Sequence, residues 1–164
     1  MGGTDNRLML PALNPADVPA VSRAPTFPKG HGLEYPWEGR DKRALGDALG
    51  LTQFGVNQVR LPPGKWSALR HWHIHEDEFV MVLSGEVTLV TSAGRQKLSA
   101  GMVAGFPAGK ADGHHLVNES GRDAVYLEVG RRAESDMAFY DDNDAVRARG
   151  PWGAELRRRD GTPL

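Results

Sequence analysis

From about Leu51 onward the chain is written in short apolar and polar alternations, each closed by a turn signal after a handful of residues. Residues 54–61 alternate as a strand does and stop at Pro62-Pro63-Gly64, a strong turn sequence. Further strands are predicted over 66–73, 78–83, 86–92, 95–98, 102–106, 114–118 and 123–129, separated by Ser84-Gly85, Ala93-Gly94, Ala100-Gly101, Pro107-Ala108-Gly109 and Ser120-Gly121. Many short strands with frequent turns imply an all-β sandwich or barrel, and no βαβ rhythm is present. In 78–83, Val80 and Val82 share one side while Phe79, Met81 and Leu83 share the other. A core needs only one of those faces, so another sheet, the N-terminal arm or a second subunit must cover the other, and a homodimer is expected. Tyr126 and Glu128 alternate with Val125, Leu127 and Val129; either set could face inward.

The ends of the chain lack this rhythm. Residues 1–50 are rich in Pro, Gly and isolated charges, and 14–19 and 24–28 read as proline-stiffened extended arms. A short helical turn is expected within 41–49. Residues 131–164 are charged and read as an irregular, solvated tail without chemistry, including Asp141-Asp142-Asn143-Asp144 and Arg157-Arg158-Arg159-Asp160. The expected organisation is an arm over 1–50, a β-barrel over 51–130 and a tail over 131–164.

Composition narrows the function classes. The 164 residues suffice for one domain with a substantial core. Twenty glycines and eleven prolines suit a turn-rich fold. A net charge of −1 offers no field for nucleic acid or an anionic membrane, and neither is expected as a partner. The absence of cysteine excludes disulfides and thiolate metal sites. Met1 to Leu10 has no leader pattern and no run reaches membrane-spanning length, so a cytoplasmic protein is expected.

The chemistry concentrates in residues 71–78, where His71, His73 and His75 stand with Glu76, Asp77 and Glu78. On a strand, His71 and His73 point to the same face about 7 Å apart, close enough for both imidazoles to reach one ion. Glu78 opens the next strand and can approach the same ion from beside them. Five of the six histidines lie in two β segments, the second being His114-His115. Histidine with carboxylate is a transition-metal donor set.

At these residues the chain resembles the cupin superfamily. Gly64, His71, His73, Glu78 and Gly85 follow its first motif, G-x5-H-x-H-x3,4-E-x6-G, with one extra residue between Gly64 and His71. Gly101, Pro107, Gly109, His114 and Asn118 follow its second, G-x5-P-x-G-x2-H-x3-N, with four residues between Gly109 and His114. The resemblance spans roughly 52–130 and is similar to a small single-domain subgroup whose members are often called sugar phosphate isomerases. It implies a double-stranded β-helix, or jelly-roll, with a divalent metal held by His71, His73, Glu78 and His114. His115, which points the other way on a regular strand, is the alternative last ligand. The donors suit Fe, Mn, Ni, Co or Zn without selecting one. Metal should be lost as pH falls through the histidine range.

The expected function is a metal-dependent small-molecule enzyme, such as a sugar or sugar-phosphate isomerase or epimerase. The alternatives are an Fe(II) dioxygenase of the same fold and a non-catalytic small-molecule-binding module. His75, Asp112 and His115 are the candidate proton carriers, although His75 also reads as a solvent-facing loop residue. Lys110 or Arg70 is the candidate for meeting a phosphate. Trp66 and Trp72 are expected to pack, Asn118 to brace a strand end, and the glycines at 64, 85, 101 and 109 to form turns.

Overall fold

A computed structural model describes residues 11–25, 27, 31–150 and 153–164. The leader-free reading of residues 1–10, and Thr26 and Pro28 of the second arm, lie outside the described residues. Twelve strands are seen among the described residues: β1 (Asp41–Ala44), β2 (Phe54–Leu61), β3 (His71–His73), β4 (Glu78–Ser84), β5 (Glu86–Thr91), β6 (Gly94–Ser99), β7 (Val103–Phe106), β8 (His115–Val117), β9 (Ala124–Arg131), β10 (Asp136–Tyr140), β11 (Ala145–Gly150) and β12 (Gly153–Arg157). A single helical turn, α1 (Leu45–Ala48), follows β1 where a turn of helix was expected. No helix among the described residues is long and apolar enough to cross a membrane.

The strands form three antiparallel sheets ordered β1-β2-β9-β4-β7, β12-β11-β10-β3 and β6-β5-β8. The last two are joined at one backbone bridge, where His71 exchanges N–H···O bonds with His114 at 3.2 and 2.9 Å. The first sheet faces this composite one: the alternation predicted a sandwich or barrel, and the layout is the jelly-roll that the cupin resemblance implied. Between them lie Val59, Leu61, Val80, Val82, Val87, Leu89, Leu98, Leu116, Ala124 and Tyr126. Several of these side chains are wholly buried, each worth about 1.5–3 kcal/mol relative to exposure. The inward parity settles the ambiguity on β9: Ala124, Tyr126 and Glu128 face the interior. The outer face of β4 and β7 keeps Phe79, Leu83 and Val103 exposed in the single chain.

Two expectations need correction. The stretch 66–73 is one strand only over β3. Trp66 bridges Val117, and the chain then bends away so that Leu69 buries itself in a second core with Leu33, Tyr35, Tyr140 and Ala145. The tail is not irregular either. It folds into β10, β11 and β12, and β10 pairs with β3 in the register His73↔Ala138, Trp72↔Phe139, His71↔Tyr140. The alternation there is hidden because one inward position is an acid: Asp136, Ala138 and Tyr140 are all buried at about 5% exposure.

Candidate metal centre

The barrel brings His71, His73, Glu78 and His114 to one end of the core. β3 supplies two imidazoles from a single face, as its period of two requires. β4 supplies Glu78 from the same face as Val80 and Val82. His114 stands immediately before β8, on the side of Leu116, so it points inward while His115 points out. The Nε2 atoms of His71, His73 and His114 lie 4.0, 3.7 and 3.0 Å from one oxygen, Glu78 Oε2. The ring of His114 is fixed by stacking on Phe106, with centroids 3.4 Å apart and planes 1° from parallel.

Hydrogen bonds set the tautomers. His71 Nδ1 lies 2.7 Å from the Leu69 carbonyl, and His73 Nδ1 lies 2.5 Å from Asp136 Oδ2. Both acceptors take an N–H from Nδ1, which leaves each Nε2 as a bare lone pair facing the Glu78 carboxylate. Glu78 Oε2 is buried without a hydrogen-bond partner, with His114 Nε2 3.0 Å away. Converging lone pairs and a carboxylate oxygen repel one another unless a cation sits among them. Adjacent donors about 2.1 Å from a common ion lie about 3 Å apart, so these spacings suit a small divalent cation after slight contraction. The residues therefore fit a bound metal, and His71, His73, Glu78 and His114 could hold it. A tighter subset, His71, His73 and Glu78, meets the mutual spacing of a metal cluster without His114.

The electrostatics agree with that chemistry. Burial pushes His71 down to about 4, so its imidazole is neutral and able to ligate at neutral pH. Burial also works to raise Glu78, but the neighbouring imidazoles of His114, His71 and His73 outweigh it and hold the carboxyl down at about 2. For Asp136, burial is offset by hydrogen bonds from His73 and from the His75 N–H, leaving it below the ordinary aspartate range. A second acidic cluster, His73, Glu76 and Asp136, is already satisfied internally. Glu76 pairs with Arg149 and accepts the Ala133 N–H at 2.9 Å.

The candidate proton carriers fare unevenly. Asp112 lines a cavity with His73, Glu78 and His114, and accepts the Ser92 N–H at 2.9 Å. His75 is exposed on the outer side, its Nδ1 3.1 Å from the Ser135 carbonyl. His115 is buried edge-on against Trp66, with Nδ1 2.9 Å from the Ala68 carbonyl. Burial lowers its pKa. Arg70 is held by Asp142 through two hydrogen bonds of 3.0 and 2.6 Å, so it is not free to meet a phosphate; Lys110 remains exposed at the cavity mouth. Asn118 braces the strand end, donating to the Leu61 and Arg122 carbonyls at 2.7 Å each, and Trp72 stacks on Phe139.

Sequence reasoning missed Asp136 and left the facing of Glu128 open. Glu128 faces the cavity shared by His71, Glu78 and His114, where it accepts from Asn57 at 3.0 Å and pairs with Lys42. An alternation of Tyr126 and Glu128 was visible; its facing was not. Asp141, assigned to solvent, accepts the Gly113 N–H at 2.8 Å and so anchors the extra loop ahead of His114.

Comparison with known proteins places this arrangement. A family profile described as "Cupin domain" matches residues 57–130. The structure is similar to a sugar phosphate isomerase of the cupin superfamily from Silicibacter pomeroyi DSS-3, with 40% identity, 94% of this chain and 96% of that one covered, and a TM-score of 0.87. It is also similar to a provisionally named sugar phosphate isomerase from Acidithiobacillus ferrooxidans, at 30% identity over 76% of this chain and 80% of that one, TM-score 0.71. A polyketide cyclase from Streptomyces resistomycificus, at 19% identity, 75% and 80% coverage and TM-score 0.57, shares the fold alone. No protein of curated function matches the chain. A barrel of this topology carrying both histidine motifs defines a class, the double-stranded β-helix proteins. Within it, the chain belongs to the cupin superfamily.

Proposed function

We propose that the protein is a metal-dependent isomerase or epimerase acting on a sugar or sugar phosphate. The observation that carries the reading is the convergence of three imidazole Nε2 atoms on the donorless, buried Glu78 Oε2. The name of the Silicibacter pomeroyi relative, which aligns over almost the whole chain, supports the substrate class. A bound divalent ion supplies Lewis acidity to vicinal oxygens of a substrate. Asp136 holds His73 in the ligating tautomer, and the Leu69 carbonyl does the same for His71. Glu128 is the carboxylate placed to accept a proton from the carbon beside a carbonyl and return it to the neighbouring carbon; Asn57 and Lys42 hold it facing the cavity.

Elemental analysis of protein purified without chelator, paired with proton NMR of sugar phosphates incubated in D2O, tests this reading. The expected result is a bound divalent metal together with deuterium incorporation next to the carbonyl. Iron with stoichiometric O2 consumption would replace the reading with a dioxygenase. Absence of metal in protein that still binds a small molecule would replace it with a binding module.

A further inference from the structure

Two buried donors near the candidate metal centre have no acceptor. Arg40 Nε and the Tyr126 hydroxyl are each shielded from solvent without a hydrogen-bond partner, and Tyr126 is only 1% exposed. An N–H of a guanidinium can only donate, and leaving it dry and unpaired costs about 1–3 kcal/mol, more because it is charged. Both line the same cavity of about 400 Å³ as His71, Glu78 and His114. That cavity shares Arg40, His71 and Arg149 with a neighbouring one of about 340 Å³, whose wall adds Arg23 and Arg147. Among the described residues, Arg23, Arg40 and Arg147 have no carboxylate within ion-pair distance, whereas Arg149 is taken by Glu76. Arg147 touches the hydroxyl of Tyr140, which burial pushes up to about 12 and so keeps a neutral donor. A guanidinium with a dry, unpartnered Nε–H inside a cavity, a hydroxyl beside it and two more guanidinia without a carboxylate partner on the adjoining wall make a receptor for oxygen acceptors bearing negative charge.

We infer that Arg40 and Tyr126 receive an anionic group of the substrate, a phosphate monoester or a carboxylate, while its polyol end lies at the histidine cluster and Arg147 and Arg23 complete the charge on the adjoining wall. The inference rests on the reading of this cavity as a substrate site. It makes the substrate an acid-bearing polyol and assigns the specificity to residues outside both histidine motifs.

The test is calorimetric titration of inorganic phosphate, glucose 6-phosphate, gluconate and glucose into the purified protein, with metal content measured on the same samples. Arg40→Gln should weaken anion binding about tenfold or more, and Tyr126→Phe by a smaller but measurable factor. Tyr126→Phe is the decisive variant, because its hydroxyl has no protein partner and its removal should leave thermal stability and metal content unchanged. Arg40→Gln also loses a bond from Nη1 to the Ser67 carbonyl, so Arg147→Gln serves as the second cationic variant. Preference for phosphate or for gluconate, each sensitive to these variants, identifies which acid is received. Failure of every anion to bind, binding of glucose as tight as its phosphate, or anion affinity unchanged in Tyr126→Phe and both arginine variants would overturn the inference. Variant-sensitive anion binding in metal-free protein would sink the metal-dependent function while leaving this subsite standing.

Discussion

The residue that most changes the picture of the site is Asp136. It sits 63 positions beyond His73 and accepts the Nδ1 proton that would otherwise leave the ligating tautomer undetermined. Asp136→Asn removes the charge while keeping an oxygen of similar reach. Metal affinity should fall roughly 10–100-fold in a chelator competition titration, with the far-ultraviolet spectrum unchanged. His71 gives a pH prediction for chelator-treated protein. Its folded value of about 4 lies below the unfolded value, so the unfolded chain binds the proton more readily between the two. Stability from this group is therefore complete above about pH 6.5 and is lost as pH falls toward 4. Thermal melts of the metal-free protein should drop across that window, and those of a His71→Gln variant should drop less. The candidate ligand residues that the structure brings together were legible because spacing and parity expose them: His71 and His73 two apart, Glu78 opening the next strand. Asp136 was not, because nothing local distinguishes a buried acceptor from a surface acid, and its partner is remote in sequence. Arg40 was hidden for the same reason.

At the level of elements, the alternation located β2 to its ends and β4, β5, β6, β7 and β9 to within two residues at each end. Turn residues made this possible. Gly85, between β4 and β5, has φ +75°, and a Cβ there would lie 2.7 Å from the Asp123 carbonyl and 2.9 Å from Ala124 Cα. Gly64 has φ +73° but nothing within 4 Å. Gly85→Ala should cost on the order of 3 kcal/mol in urea denaturation, and Gly64→Ala nearer 1 kcal/mol, the strain of the left-handed conformation alone. What the alternation did not reveal is which strands would lie side by side. β3 is three residues long and has no ladder of its own making; it exists because β10 pairs along it and His114 bridges to it. The charged positions of β10 and β11 disguised them, since strands whose inward rows carry Asp136 on one and Arg147 and Arg149 on the other resemble loops.

For the whole molecule, the barrel and the C-terminal sheet share one structural job. Tyr140 and Ala145 join Leu33, Tyr35 and Leu69 in the second core, and Asp141 and Asp142 hold the loop at Gly113 and the side chain of Arg70. A chain ended at Arg132 retains both histidine motifs and the first core, so a self-sufficient barrel over 51–130 would still melt cooperatively and bind metal. The expected outcome is the opposite: a broad or absent transition and no metal by elemental analysis, because β3 loses its partner strand and His73 its acceptor. Retention of a sharp melt in that truncation would restore the shorter boundary.

The pairing of β3 with β10 also imposes an order on biosynthesis. His71 and His73 emerge from the ribosome before Glu78 and well before His114, so the early nascent chain carries two of the four candidate donors. Until Asp136 follows 63 residues later, nothing holds the His73 ring in one tautomer, and the strand that bears it has only the single bridge to His114. The growing polypeptide is thus a poor scavenger of stray cations. Selection of an ion at this site would then belong to the finished protein and to whatever pool of metals it meets after release.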